Sequence, residues 1–107
     1  MNKYESVIIV NPNLDEAGVK ALEDKFTGLI NENGKVESID KMGKRKLAYE
    51  IKKQQEGIYE IINFESNPEA IAELERIYRI TDDIMKYIIV RKDQYSKNIK
   101  YRKGTFI

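Results

Sequence analysis

Lys41-Met-Gly-Lys-Arg-Lys-Leu-Ala-Tyr-Glu-Ile-Lys-Lys53 sets six cationic side chains against one carboxylate in thirteen residues. Ammonium and guanidinium groups at this density suit one chemistry above others, the neutralisation of phosphates on a polyanion, and a tyrosine among them can stack on an unpaired base. Residues 91–103 (RKDQYSKNIKYRK) repeat the composition, six bases to one acid, with Tyr95 and Tyr101 interleaved. Each segment carries +5, which leaves the other 81 residues with 7 basic and 16 acidic side chains, a body of net −9 beneath an overall charge of +1. The candidate phosphate contacts are Lys44, Arg45, Lys46, Lys52, Lys53, Arg91 and Lys92, with Lys3 on a neighbouring strand and Tyr49 as a stacking ring. Six such contacts would make log affinity fall against log salt with a slope of about −5, a loss of roughly a thousandfold between about 50 and about 200 mM. The plain alternative is an edge strand that uses lysine to block aggregation. Composition weighs the two evenly for residues 41–53 and favours a solvated end for the second segment.

Catalysis has little to work with. The chain contains neither His nor Cys, which removes the commonest general base, the commonest metal ligand and the reactive thiol together. Asp82-Asp83 is the only adjacent aspartate pair, in an expected loop with no positioned nucleophile. The reading is therefore of a non-enzyme that needs no metal and no other cofactor. No apolar run approaches the roughly 18 residues of a membrane span, and Met1-Asn-Lys-Tyr-Glu5 shows no signal-peptide layout. With no cysteine to oxidise, this suits the cytoplasm.

The elements that must position these residues follow from periodicity. Residues 3–10 (KYESVIIV) are rich in β-branched and aromatic types and read as an interior strand, with Tyr4, Ser6, Ile8 and Val10 on one face and Glu5, Val7 and Ile9 on the other. In NPNLDEAG, Asn13 is the expected N-cap with Glu16 three residues on, and Leu14, Leu22, Phe26, Leu29 and Ile30 form a helical stripe that ends at Gly34. A strand starts at 35–41, breaks at Gly43 and resumes through KLAYEIKK; a turn at Gln54–Gly57 leads to a third strand, IYEIINFE. Asn67-Pro68-Glu69 starts a second helix whose buried face is Ile71, Leu74, Ile77 and Tyr78, and IMKYIIVRK is the last strand.

This order, βαββαβ, predicts an α+β fold, a ferredoxin-like split β-α-β sandwich. Its four-stranded antiparallel sheet carries both helices on one face, with the first and third strands central. In 107 residues there is room for one domain, over 1–93, followed by a basic and loose tail over 94–107. The uncovered sheet face would present Val7, Ile9, Tyr59, Ile61, Ile88 and Val90, an apolar patch that calls for a protein partner. Scattered surface aliphatics are the plain alternative.

The RNA-recognition motif shares this strand order, but its third strand needs a basic residue, glycine and rings of matched parity. Glu56-Gly-Ile-Tyr-Glu-Ile-Ile-Asn-Phe64 starts acidic and sets Tyr59 and Phe64 on opposite faces. That motif is absent.

Gly43-Lys-Arg-Lys-Leu-Ala-Tyr-Glu-Ile-Lys52 resembles the signature of the bacterial small-subunit ribosomal protein S6 family, in which a glycine and basic residues precede Leu-Ala-Tyr, a variable position, Ile and a base. Tyr4-Glu5, Asn11 to Leu14 and Leu74 to Lys92 (LERIYRITDDIMKYIIVRK) are similar to the same family, so the likeness covers about residues 3–92. The resemblance implies the same split β-α-β fold and a structural constituent of the small ribosomal subunit. It further implies binding of the central domain of the small-subunit ribosomal RNA together with ribosomal protein S18 during assembly, by a chain that is a monomer when isolated. The acidic tail of some family members is replaced here by SKNIKYRKGTFI, which puts glutamate extension of the tail in doubt. A small-molecule-binding regulatory module on the same fold is the alternative. Against it, NPNLDEAG offers a helix cap rather than a cradle for an anion.

Overall fold

The computed structural model describes residues 2–92; the expected basic tail lies outside the described residues. The elements are β1 (Asn2–Val10), α1 (Glu16–Asn33), β2 (Gly34–Ile51), β3 (Gln54–Ser66), α2 (Glu69–Ile80) and β4 (Ile84–Arg91). They form one antiparallel sheet in the order β2-β3-β1-β4, with the two long central strands paired from Asn2↔Ser66 to Val10↔Ile58. Both helices pack on one face, where Tyr4, Ile8 and Val10 of β1 meet Phe26, Ile30, Ile62, Phe64, Leu74 and Tyr78. The Phe26 and Tyr78 rings meet edge to face at 4.8 Å, the arrangement that ring quadrupoles favour. The buried Tyr78 hydroxyl lies 2.8 Å from Ser6 Oγ, so neither polar group is stranded in the core. The face assignment of β1 read from alternation is the one observed.

Several local expectations differ in detail. Asp15, not Asn13, caps α1: its carboxylate accepts from the Gly18 amide at 2.8 Å, while Asn13 donates its own backbone N–H to Asn11 Oδ1. Gly34 ends the helix, but in extended backbone that starts β2 at once. A Cβ there would collide with the Glu65 carbonyl, so close approach of β3 is what requires the glycine. At the start of α2 the N-cap falls on Pro68 rather than Asn67 and no side-chain cap is made; the Asn67 carbonyl accepts from the Ala70 amide at 3.1 Å in the turn before the helix. The turn between β2 and β3 falls at Lys52-Lys53, not at Gln54–Gly57; Ile51 pairs with Gln54 across it.

Candidate nucleic-acid interface

β2 is an edge strand of 18 residues, far longer than β4, and its outer half runs with the start of β3 past the end of β1 as a hairpin arm. Three irregularities shape it. Glu37 and Met42 are each one residue too many against β3, and between the Lys46↔Glu56 and Ile51↔Gln54 pairs four residues of β2 face one of β3. Such bulges bend a strand and raise its twist. Gly43 takes the left-handed backbone (φ 78°) that the second bulge needs. The third bulge turns Leu47 back onto the sheet face away from the helices, where it packs with Ile9, Tyr59 and Met85, with Met42 and Ile51 alongside. Beyond it, the Tyr49 hydroxyl accepts a 2.9 Å hydrogen bond from Lys86 Nζ on β4, and the same ammonium lies 5.5 Å from the ring centroid.

This arm corrects the picture of an uncovered apolar face. Val7, Ile9 and Tyr59 are at most 3% exposed within the chain itself and leave no surface for a partner. The physical reason is the third bulge, which supplies Leu47 as an internal cover for Ile9 and Tyr59. Ile61, Ile88 and Val90 stay half-buried on the same face. Ile61 and Ile88 flank Val7 in the ladder, so the remaining strip lies toward the end of the sheet that holds Arg91.

The candidate phosphate ligands fall into two groups. Lys44, Arg45, Lys46, Lys52 and Lys53 are exposed along the arm, and Tyr49 is 53% exposed among them. Lys52 and Lys53 occupy the hairpin tip with φ of 50° and 66°, left-handed backbone at both central positions. Lys3, Arg91 and Lys92 sit at the opposite end of the sheet, where Tyr4 pairs with Arg91 and Lys3 with Glu65. Lys44 pairs with Ile58 and so shares a row with Val10. At about 3.3 Å per residue, the seven steps from Val10 to Lys3 put the groups roughly 23 Å apart. Lys3 is in addition 3.6 Å from Glu37. One short phosphate run does not reach both groups.

The arm is also two-faced. Lys44 and Lys46 lie opposite Ile58 and Glu56 and line clefts on the helix side, whereas Arg45 lies opposite Gly57 and donates from Nε to the Met42 carbonyl at 3.2 Å. In the helix-side cleft stand residues that sequence reasoning passed over: Glu23 of α1, Glu60 of β3 and Lys41 of β2. Lys41 Nζ is 3.3 Å from Glu23 Oε1. Burial first, then the neighbouring Glu23, pushes the Glu60 carboxyl up to about 8. Glu23 is held below its ordinary value, chiefly by a hydrogen bond from Glu60 and then by Lys41. At neutral pH, Glu60 therefore carries the proton and Glu23 the charge. A signal for this pair was present in the sequence: Glu60 stands at the helix-facing parity of Ile58, Ile62 and Phe64.

Among the described residues no group of three or more acids, His or Cys could hold a metal ion, and no helix is long and apolar enough to cross a membrane. The family profile described as ribosomal protein S6 matches residues 3–91. Similar curated proteins include the small ribosomal subunit protein bS6 of Clostridium perfringens (strain 13 / Type A), 54% identical over 88% of this chain and 100% of that protein. That of Clostridium beijerinckii is 54% identical over 86% of this chain and 98% of its own length. The crystal structure of 30S ribosomal protein S6 from Thermotoga maritima superposes with a TM-score of 0.80 at 38% identity, covering 84% of this chain and 86% of that one. The sheet order and these likenesses agree: the chain belongs to the ribosomal protein S6 family, non-enzymatic structural components of the small ribosomal subunit.

Proposed function

We propose that this chain binds the central domain of the small-subunit ribosomal RNA together with ribosomal protein S18 during assembly of the subunit in the cytoplasm. The observation that carries the reading is the arm: Lys44, Arg45, Lys46, Lys52 and Lys53 are all exposed on one hairpin of a body that is otherwise acidic. Cations gathered on one hairpin can hold RNA phosphates that the acidic remainder of the body repels. The half-buried strip of Ile61, Ile88 and Val90 is what remains of the apolar sheet face for the protein partner. Arg91 and Lys92 border that strip and serve a second RNA segment or the partner complex, not the segment held by the arm.

Sedimentation of a gentle lysate through sucrose gradients at low and high salt tests the reading. Co-migration with the small subunit, partly lost at high salt, is the expected result; a chain left at the top in low salt would sink it. The Lys44→Ala, Arg45→Ala, Lys46→Ala triple variant should co-migrate less at every salt concentration. Its stability should stay within about 1 kcal/mol of the parent, because the three side chains are exposed.

A further inference from the structure

Tyr49 is an exposed ring that is nevertheless held still. Among the described residues, it and Ile80 are the large apolar side chains left more than half in water. Ile80 stands at the end of α2, as single surface aliphatics commonly do. Tyr49 is built in differently. It lies inside the third bulge of β2, where Leu47 and Ile51 turn inward onto the cluster of Ile9, Tyr59 and Met85 and leave the ring between them facing out. Its hydroxyl accepts the 2.9 Å hydrogen bond from Lys86 Nζ, 37 residues along the chain and on the opposite edge strand of the sheet. A side chain fixed at its tip as well as its root has lost its rotamer freedom before any ligand arrives, so packing a ligand on it costs little further ordering.

Arg45 stands on the same side of the arm. It pairs with Gly57, and a β-carbon at Gly57 would run into Ile9 Cγ2 and lie 3.5 Å from Leu47 Cδ2 and 3.7 Å from Met85 Cε. Residues directly opposite in a ladder share a face, so Arg45 starts from the face that Leu47 and Tyr49 cover. Its Nε donates to the Met42 carbonyl at 3.2 Å, which keeps the guanidinium beside the strand. We propose that this side of the arm binds one unpaired base of single-stranded RNA, stacked on Tyr49 with a flanking phosphate on Arg45, and that Lys86 is the positioning residue that holds the ring. The inference rests on the RNA-binding reading above and adds to it a stacking site on the sheet face away from the helices. A ring with a cation nearby accepts any base, because every base has a π-face, and it needs no partner on the base edge. A base inside a duplex has both faces covered, so the ligand is a single strand, a loop or a bulge. The Lys86 ammonium is committed to the Tyr49 hydroxyl and acts through it.

The test is titration of the isotope-labelled full chain at low salt with octauridylate and, as a polyanion without bases, with inorganic polyphosphate, followed by NMR. Tyr49→Ala should weaken octauridylate about tenfold, within the range for one base stacked on one ring, and leave polyphosphate unchanged. Tyr49→Phe keeps the ring and loses its tie, and should weaken octauridylate about threefold, the size of one hydrogen bond's net contribution. Lys86→Met should weaken octauridylate by more than it weakens polyphosphate, which the loss of a charge alone would not do. Arg45→Ala should weaken both ligands alike. If Tyr49→Ala does not fold, Tyr49→Phe and Lys86→Met carry the same comparison. The proposal is overturned by equal effects of Tyr49→Ala on the two ligands, or by no binding of octauridylate to the parent up to about 1 mM, well above the nonspecific range. A loss confined to the complex with ribosomal protein S18 would overturn it too, and would make Tyr49 a protein contact. None of these failures touches co-sedimentation with the small subunit, so the two readings fall separately.

Discussion

Glu60 is the residue whose chemistry departs furthest from its type. It sits on the helix-facing side of a central strand, nearly inaccessible, and shares its proton with Glu23. Because its folded pKa is raised to about 8 from an ordinary 4.5, the native state holds a proton that the unfolded chain releases. Stability should therefore decline as pH rises from the ordinary carboxyl range to about 8, by up to roughly 1.4 kcal/mol per pH unit for a fully coupled group, and level off above it. Glu23, with its pKa lowered, works in the opposite sense, and its contribution is lost only as pH falls below the carboxyl range. Glu60→Gln keeps a donor toward Glu23 and removes the titration. Urea midpoints between pH 5 and 9 should show the variant gaining on the parent as pH rises; parallel curves would mean that Glu60 does not hold its proton in the folded chain.

At the scale of the element, the hairpin arm combines one strong anchor with a strained tip. Leu47 is 7% exposed in its satellite cluster, and Leu47→Ala should cost about 2–4 kcal/mol, the usual range for emptying such a site. Denaturant unfolding measures the loss, and the indole-free chain can be followed by circular dichroism or tyrosine fluorescence. Left-handed backbone costs a β-carbon residue about 1–2 kcal/mol, and Lys52 and Lys53 both adopt it. Asn-Gly is the pair that a two-residue turn of this hand prefers. Lys52→Asn with Lys53→Gly should thus stabilise the fold by about 1–2 kcal/mol while weakening the hold on RNA. Stabilisation with undiminished co-sedimentation would show that the two tip lysines do not contact RNA. Strain kept at an exposed tip accords with a role for the charge there.

At the scale of the whole molecule, polarity sets what the chain can do alone. A body of net −9 opposes the arm, and the second basic end of the sheet is roughly 23 Å distant. The isolated chain should bind small-subunit RNA no more tightly than ordinary nonspecific complexes, roughly 10⁻⁶–10⁻⁴ M, and ribosomal protein S18 should tighten it. A single strand held by the arm meets at most its five cations at 44, 45, 46, 52 and 53. The salt slope should then be about −3.5 rather than about −5. Fluorescence anisotropy with and without the partner, across salt concentrations, checks both; a nanomolar complex formed by this chain alone would contradict the polarity argument.

Much of this protein was legible in the residues by themselves. Alternation in KYESVIIV assigned both faces of β1, helical spacing from Leu22 to Ile30 and from Ile71 to Tyr78 assigned the buried sides of both helices, though Leu14, expected in the first stripe, precedes α1, and the element order implied the sheet order that is observed. These features rest on local periodicity, which each segment carries alone. The bulges in β2 were not legible, since one extra residue in a ladder reverses the parity of everything beyond it and only pairing with β3 reveals it. For that reason the tertiary structure alone decided that Leu47 covers Ile9 and Tyr59, that Lys44 and Lys46 stand on the helix side, and that Lys41 meets Glu23 over Glu60. Composition told which charges the chain owns; long-range register, which no local pattern encodes, decided which of them stand together.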